Sequence, residues 1–308
     1  MTFVVASTAI TAHTLNATKL VRGLTERGHR VLWYADPRFT SHVVRTGAQH
    51  LPAPTASERM SRGVSGLTGL RAFYRDDVVG SIPAHLAAFH DHVKNTTPDA
   101  ILSDTLLPAA GIAAAQLGCP WATFGDGPLL HWDQSTPPFG TGLQPMRGPA
   151  GRHRNRNVQR VIDLLLYDDA IRHLNAIRTR HGLTPAATIR EASLAPELHL
   201  QGCTPSLEYP RDPLPDHIHF VGALGPGPGA APPLPDHLRR AARTRHLAFL
   251  TQGTLRPNPR ELARPAAMAL LAEGFDVAAA GLLDGPWNPD PSRVHVLHRV
   301  DYADALAH

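Results

Sequence analysis

Lysine is nearly absent from this 308-residue chain: only Lys19 and Lys94 occur among 30 lysines and arginines combined. The basic excess is therefore arginine, and with a net charge of only +4 it is too small to mark a polyanion-binding surface. The one dense basic stretch, RGPAGRHRNRNVQR at 147–160, has no interleaved aromatics on which bases could stack, so no nucleic-acid partner is expected. Cysteine is as scarce. Cys119 and Cys203 imply no disulfide framework and suit small buried hydrophobes. No apolar run approaches the ~18 residues that a membrane span needs. No basic segment precedes the first apolar run, so no signal peptide and a cytoplasmic location are expected. The phosphate-cradling signatures GKS, GKT and GxGxxG are also missing, which disfavours P-loop enzymes and nicotinamide-dependent oxidoreductases.

What is present is strand-helix alternation. FVVAS at 3–7 has the composition of a buried strand. Ala17, Leu20, Val21 and Leu24 then form a helical stripe, Gly28 stops the helix, and RVLWYA at 30–35 resumes as a strand. The unit recurs with DAILSD at 99–104, a small-residue helix over 108–118 and WATFG at 121–125. Helical patterns cover 55–95 and 161–181, and the Gly- and Pro-rich segment 125–151 is expected to be a long loop. GALGPGPGAAPPLPDH supports neither helix nor strand and predicts a linker over 222–237 between domains at 1–221 and 238–308. Beyond it, HLAFLT at 246–251, a helix over 259–273, FDVAAAG at 275–281 and RVHVLH at 293–298 restart the alternation. The fold expected is α/β, with two Rossmann-like domains, the second incomplete.

In open parallel sheets ligands gather at the carboxyl ends of strands. His13 follows the first strand and Asp104 ends a later one, so the two can approach as a base and the carboxylate that orients it. Taken singly, His13 suits an ordinary loop and Asp104 a helix cap. TQGT, Thr251 to Thr254, lies between a strand and a helix, where backbone amides can meet an anion or simply turn the chain. His85, His90 and His92 do not share a helical face, which predicts a solvated surface and no metal site. His217 and His219 suit a polar strand face, and GVSG at 63–66 misses a hydrolase elbow by one residue.

AHTLNATKLVRGLTERGH, with His13 sixteen residues before His29, resembles the opening loop and helix of the family 1 glycosyltransferases of GT-B fold, especially bacterial macrolide-type enzymes. PDAILSDTLLPAAGIAAAQLGCPWATF, LEYPRDPLPDHIHFVGAL, LAFLTQGTL and RVHVLHRVDYADALAH resemble later segments of that family in the same order. The resemblance implies a transferase that moves a sugar, with inversion, from a nucleotide diphosphate sugar to a hydroxyl of a small natural-product acceptor. His13 would be its general base and Asp104 the supporting acid. Thr251, Gln252, Gly253, Thr254, Arg299 and Val300 would face the donor, and Phe73, Tyr74, Phe124, Trp132 and Phe139 the acceptor. No metal or resident cofactor is implied. The family's glycine-rich diphosphate motif has no counterpart here, so the resemblance implies a truncated, weakly active chain. The alternative is a non-catalytic acceptor-binding or auxiliary protein that pairs with a partner, as a homo- or hetero-oligomer.

Overall fold

The computed structural model describes residues 1–55, 66–94, 96–211, 213–225, 227, 231–244, 246–253, 262–280 and 289–307. They form two compact units that divide after Gly225.

The first unit is built on seven parallel strands: β1 (Thr2–Ala6), β2 (Arg30–Ala35), β3 (Gln49–Pro52), β4 (Ala100–Asp104), β5 (Trp121–Gly125), β6 (Leu198–Gln201) and β7 (Ile218–Phe220). Their order in the sheet is β3-β2-β1-β4-β5-β6-β7. β1 lies inside the sheet, between β2 and β4, and VVA buries on both faces, as a parallel strand covered by helices must. Ala17 and Val21, from the helical stripe seen in the sequence, pack onto Val5, Trp33 and Phe124 on one face. The helix Thr18–Glu26 ends through Gly28, whose φ of +79° lets His29 N–H reach back to the Leu24 carbonyl.

The helix Ala109–Leu117 follows β4 and packs with small residues. Gly111 sits against the Trp121 ring so closely that an added Cβ would lie 2.8 Å from it. Alanine normally gains about 1 kcal/mol over glycine inside a helix, yet overpacking costs about 1–3 kcal/mol. The clash is with a rigid indole, so it prevails: Gly111→Ala should lower unfolding free energy by about 1 kcal/mol, measurable as an earlier urea midpoint at unchanged m.

Several elements differ from the sequence reading. The loop expected over 125–151 ends early, because residues 148–162 are helical, followed by a wide π-type turn over Asp163–Tyr167 and the helix Asp168–Arg180. Apolar periodicity could not reveal the first of these. That helix is anchored by polar side chains: Asn155 donates to the Gln134 carbonyl, and Gln159 to those of Asp133 and Thr136. Residues 11–16, expected as loop, form a short helix. β3 and β6 are only four residues each and too polar to stand out; buried His199 in β6 is held by Thr123 and Gln201. His217 precedes β7 and His219 lies within it. GVSG lies outside the described residues except for Gly66.

The second unit carries β8 (Leu247–Thr251), β9 (Asp276–Ala280) and β10 (Val294–Leu297), parallel in the order β10-β9-β8. Two apolar clusters cover the two faces, one around Leu238 and Ala278 and the other around Ala267 and Val277. Every residue of β9 is buried, whereas β8 pairs on one side among the described residues and is only half-buried. The predicted linker is shorter than 222–237. Leu234 is core, and the helix Asp236–Thr244 begins inside the span because Asp304 accepts from Leu234 N–H and pairs with Arg239.

Candidate active site

β1 ends at Ala6, and the chain turns into the short helix Thr11–Asn16 that carries His13 at its third position. β4 pairs directly with β1 and ends at Asp104, so both residues emerge at the same edge of the sheet. The Thr14 hydroxyl donates to the Thr8 carbonyl and the Thr18 hydroxyl to that of Leu15, fixing the turn of chain around the imidazole. His13 Nδ1 lies 2.6 Å from Asp104 Oδ2. The other carboxylate oxygen of Asp104 accepts Leu106 N–H at 2.7 Å, which locks its orientation. Asp104 does not cap the helix Ala109–Leu117, whose N-cap is Pro108; its second oxygen holds the turn that leads into that helix.

Exposure separates the partners: Asp104 is 1% exposed and His13 17%. The carboxylate is a buried anchor and the imidazole keeps an open edge. With Nδ1 taken by Asp104, Nε2 is the nitrogen left to exchange a proton with a bound molecule. Burial by itself would lower the His13 pKa. The Asp104 charge and hydrogen bond, with a contribution from Asp126, outweigh it and raise the pKa to about 9. At neutral pH His13 is therefore mostly imidazolium, a tightly held proton on what is, once deprotonated, an unusually strong base.

Asp126 and Asn16 are the residues that sequence reasoning missed in this role. Asn16 Nδ2 donates to the Asp126 carboxylate, tying the His13 helix to the segment that leaves β5. The signal was available in GDG at 125–127, an acidic residue between two glycines at the carboxyl end of a Rossmann strand.

The aromatic residues expected to line an acceptor pocket do not act as one group. Phe73 and Tyr74 lie edge-to-face 5.5 Å apart, and Tyr74 meets Tyr167 at 4.8 Å. Burial, followed by Tyr167 and with Asp104 contributing, drives the Tyr74 hydroxyl above its ordinary pKa. Phe124 packs in the sheet core with Val5 and Trp33, because its position in β5 points it at the Ala17–Val21 face. Phe139 is exposed. Trp132 is covered by the Arg190 guanidinium, 3.9 Å from the ring centroid, and Arg190 is in turn paired with Asp163.

In the second unit, Thr251 closes β8 and its hydroxyl accepts from Gly253 N–H and contacts the Tyr302 hydroxyl at 3.3 Å. Gln252 caps the helix Ala263–Ala272 by accepting Ala263 N–H at 2.9 Å, so its side chain is already engaged. Arg299 is exposed, whereas the Val300 side chain belongs to the core and leaves only its backbone for a ligand. Thr254 lies outside the described residues. His85, expected on a solvated surface, is instead packed: its Nδ1 meets the Tyr34 hydroxyl at 2.8 Å, and burial lowers its pKa to about 4. His90 is exposed, and His92 bonds the Pro52 carbonyl. Among the described residues no group of three or more His, Cys, Asp or Glu is placed to hold a metal ion. No helix among them is long and apolar enough to cross a membrane.

No protein-family model matches the sequence. Individual proteins do. The chain is 29% identical to 4'-demethylrebeccamycin synthase of Lentzea aerocolonigenes over 320 residues, covering 99% of this chain and 75% of that protein. It is 24% identical to the zeaxanthin glucosyltransferase of Pseudescherichia vulneris, covering 90% of this chain and 66% of the relative. Among solved structures, the glycosyltransferase of kitacinnamycin superposes with a TM-score of 0.69 at 20% identity, over 99% of this chain and 72% of its own. Along nearly its whole length the chain is similar to these glycosyltransferases, and its architecture is that of the GT-B fold.

Proposed function

We propose that this chain is an inverting transferase that moves a sugar from a nucleotide diphosphate sugar to a hydroxyl of a small natural-product acceptor. The observation that carries this reading is the 2.6 Å contact between the part-exposed His13 and the buried Asp104. His13 Nε2 takes the acceptor proton while the acceptor oxygen attacks the anomeric carbon. The bond to the diphosphate breaks on the opposite side, and the nucleotide diphosphate leaves with the electron pair. Asp104 holds the tautomer that presents the Nε2 lone pair and stabilises the imidazolium that results.

The raised pKa has two opposing consequences. It reduces the fraction of ready base at neutral pH, and it narrows the gap between that base and an alcohol proton. Below about pH 9 the first dominates, so kcat/KM should fall tenfold per pH unit on acidification and level off above the pKa.

The donor is expected at the carboxyl end of β8, with the backbone of Thr251, Gln252 and Gly253 and the exposed Arg299 as the described groups nearest to it in the fold's logic. A related solved structure, VinC, 19% identical with a TM-score of 0.57, is described in complex with DTDP, which makes thymidine and uridine diphosphate sugars the donors to try. Backbone amides and an arginine can support a leaving diphosphate without a cation. Turnover is therefore expected to persist in excess EDTA, and its loss, restored by Mg²⁺, would sink the metal-free part of the reading.

The test of the function is direct. The purified chain is incubated with polycyclic aromatic and macrolide aglycones and both nucleotide sugars, and products are followed by mass spectrometry with anomeric configuration read by NMR. A β-linked product from an α-linked donor supports the reading. A retained configuration overturns the mechanism, and no product from any pair overturns the function.

A further inference from the structure

The first unit also holds a cavity of about 600 Å³ that His13 and Asp104 do not line. Its floor is the small-residue side of the helix Ala109–Leu117, formed by Gly111, Ala114 and Ala115, and its flat walls are Trp121 and Trp132. We propose that this cavity is a second small-molecule site, separate from the reaction centre, for an uncharged flat aromatic ligand.

Its position follows from the sheet. Cys119, Glu197 and His217, which line it, stand just ahead of β5, β6 and β7, so the cavity opens at the amino edge of the sheet. Asp104 is the last residue of β4, at the carboxyl edge. Trp121 pairs with Ile101, three residues earlier, which is about 10 Å along the strand. Side chains alternate faces, and the Trp121 indole donates to Ser103, the residue before Asp104. The cavity's opening and the His13–Asp104 pair therefore lie at opposite edges of the sheet.

Its chemistry follows from the lining. A cavity of this size falls in the ~300–1,000 Å³ range of drug-sized sites, which are mostly apolar with a few oriented polar groups. Gly111 and the alanines supply depth without hydrogen-bonding capacity, and the indoles supply apolar surface, Trp121 beside the helix and Trp132 on the side that Arg190 leaves uncovered. Of the ionic groups in the lining, Arg190 is already engaged by Asp163, Arg178 donates to the Thr184 carbonyl, and Glu191 and Glu197 are exposed to solvent. None of these charges is both buried and unpaired, and a flat neutral ring system can lie against tryptophan. The loop carrying Trp132 is held in place by Arg211, whose guanidinium donates to the His131 carbonyl at 2.8 Å and pairs with Glu208.

The test uses the neutral naphthalene fluorophore prodan with the full chain, the His13→Ala variant and Ala115→Trp. Ala115 is exposed on the helix, so a large side chain there obstructs the cavity without entering the core. Saturable binding of one equivalent is expected in the first two, with at least a tenfold weaker Kd in A115W. Cys119 supplies a readout that needs no variant: saturating prodan should slow its alkylation by iodoacetamide, followed by peptide mass spectrometry. Absence of saturable binding overturns the proposal. So does loss of binding in H13A, which would place prodan at the reaction centre, or an unchanged Cys119 alkylation rate.

Discussion

Replacing His13 with alanine is expected to lower kcat/KM by ~10²–10⁴, the usual contribution of a positioned general base. The loss should fall on kcat. The imidazole acts on a proton that moves only in the transition state, so acceptor affinity, measured by calorimetry with the unreactive nucleotide diphosphate present, should change little. The fold should tolerate the change, since the ring is partly open to solvent and its helix is held by Thr14 and Thr18. A variant that keeps wild-type turnover with the same acceptor would remove His13 from the mechanism.

His13 also couples stability to pH. Its folded pKa of about 9 lies above the ordinary value of 6.5. The folded state thus binds the proton more tightly, and the pair's stabilisation is complete below pH 6.5. It declines as pH rises from there towards 9. Thermal unfolding of the wild type should lose stability across that window, and H13A should show a flatter profile.

The second large effect is expected from Asp104→Asn, which should do two things that a purely structural residue would not do together. The plateau rate should fall by at least ~10², because the amide no longer stabilises the imidazolium and can present N–H to Nδ1, which turns the lone pair away from the acceptor. The acid limb of the pH profile should also move down from about 9 towards or below 6.5, since burial then acts on His13 opposed only by Asp126. Just above neutral pH the variant should therefore be nearly pH-independent where the wild type is steep. Asp104 is almost fully buried and accepts Leu106 N–H as well, and asparagine can keep that bond through its carbonyl. A variant whose plateau drops with no displacement of the limb would assign Asp104 to folding alone.

The comparison of sequence with structure turns on particular residues. β1, β2 and β5 were readable as short apolar runs, the helix after β1 by the spacing of Ala17, Leu20, Val21 and Leu24, and the helix after β4 by its run of small residues closed by Gly118. The turn at Gly28 was readable because a left-handed position favours glycine. The helix Gly148–Ile162 was not, since it docks through Asn155 and Gln159, and hydrogen bonds leave no hydrophobic period. Leu234 was concealed within a proline-rich stretch, where composition outweighs the single apolar side chain that reaches the core. Phe124, which the family resemblance set against the acceptor, lies in the core because of its strand register.

For the chemistry, the sequence alone determined that a histidine follows one strand and an aspartate ends another strand of a parallel sheet, because both sit where an apolar run gives way to a helix. It could not decide that β1 and β4 are neighbours, since strand order depends on crossovers many residues long. Tertiary structure decided that adjacency, and with it the buried carboxylate, the charge of Asp126 nearby and the high pKa of His13. Pairing two groups 91 positions apart in the chain is a property of the folded sheet, because electrostatic coupling acts through distance in space.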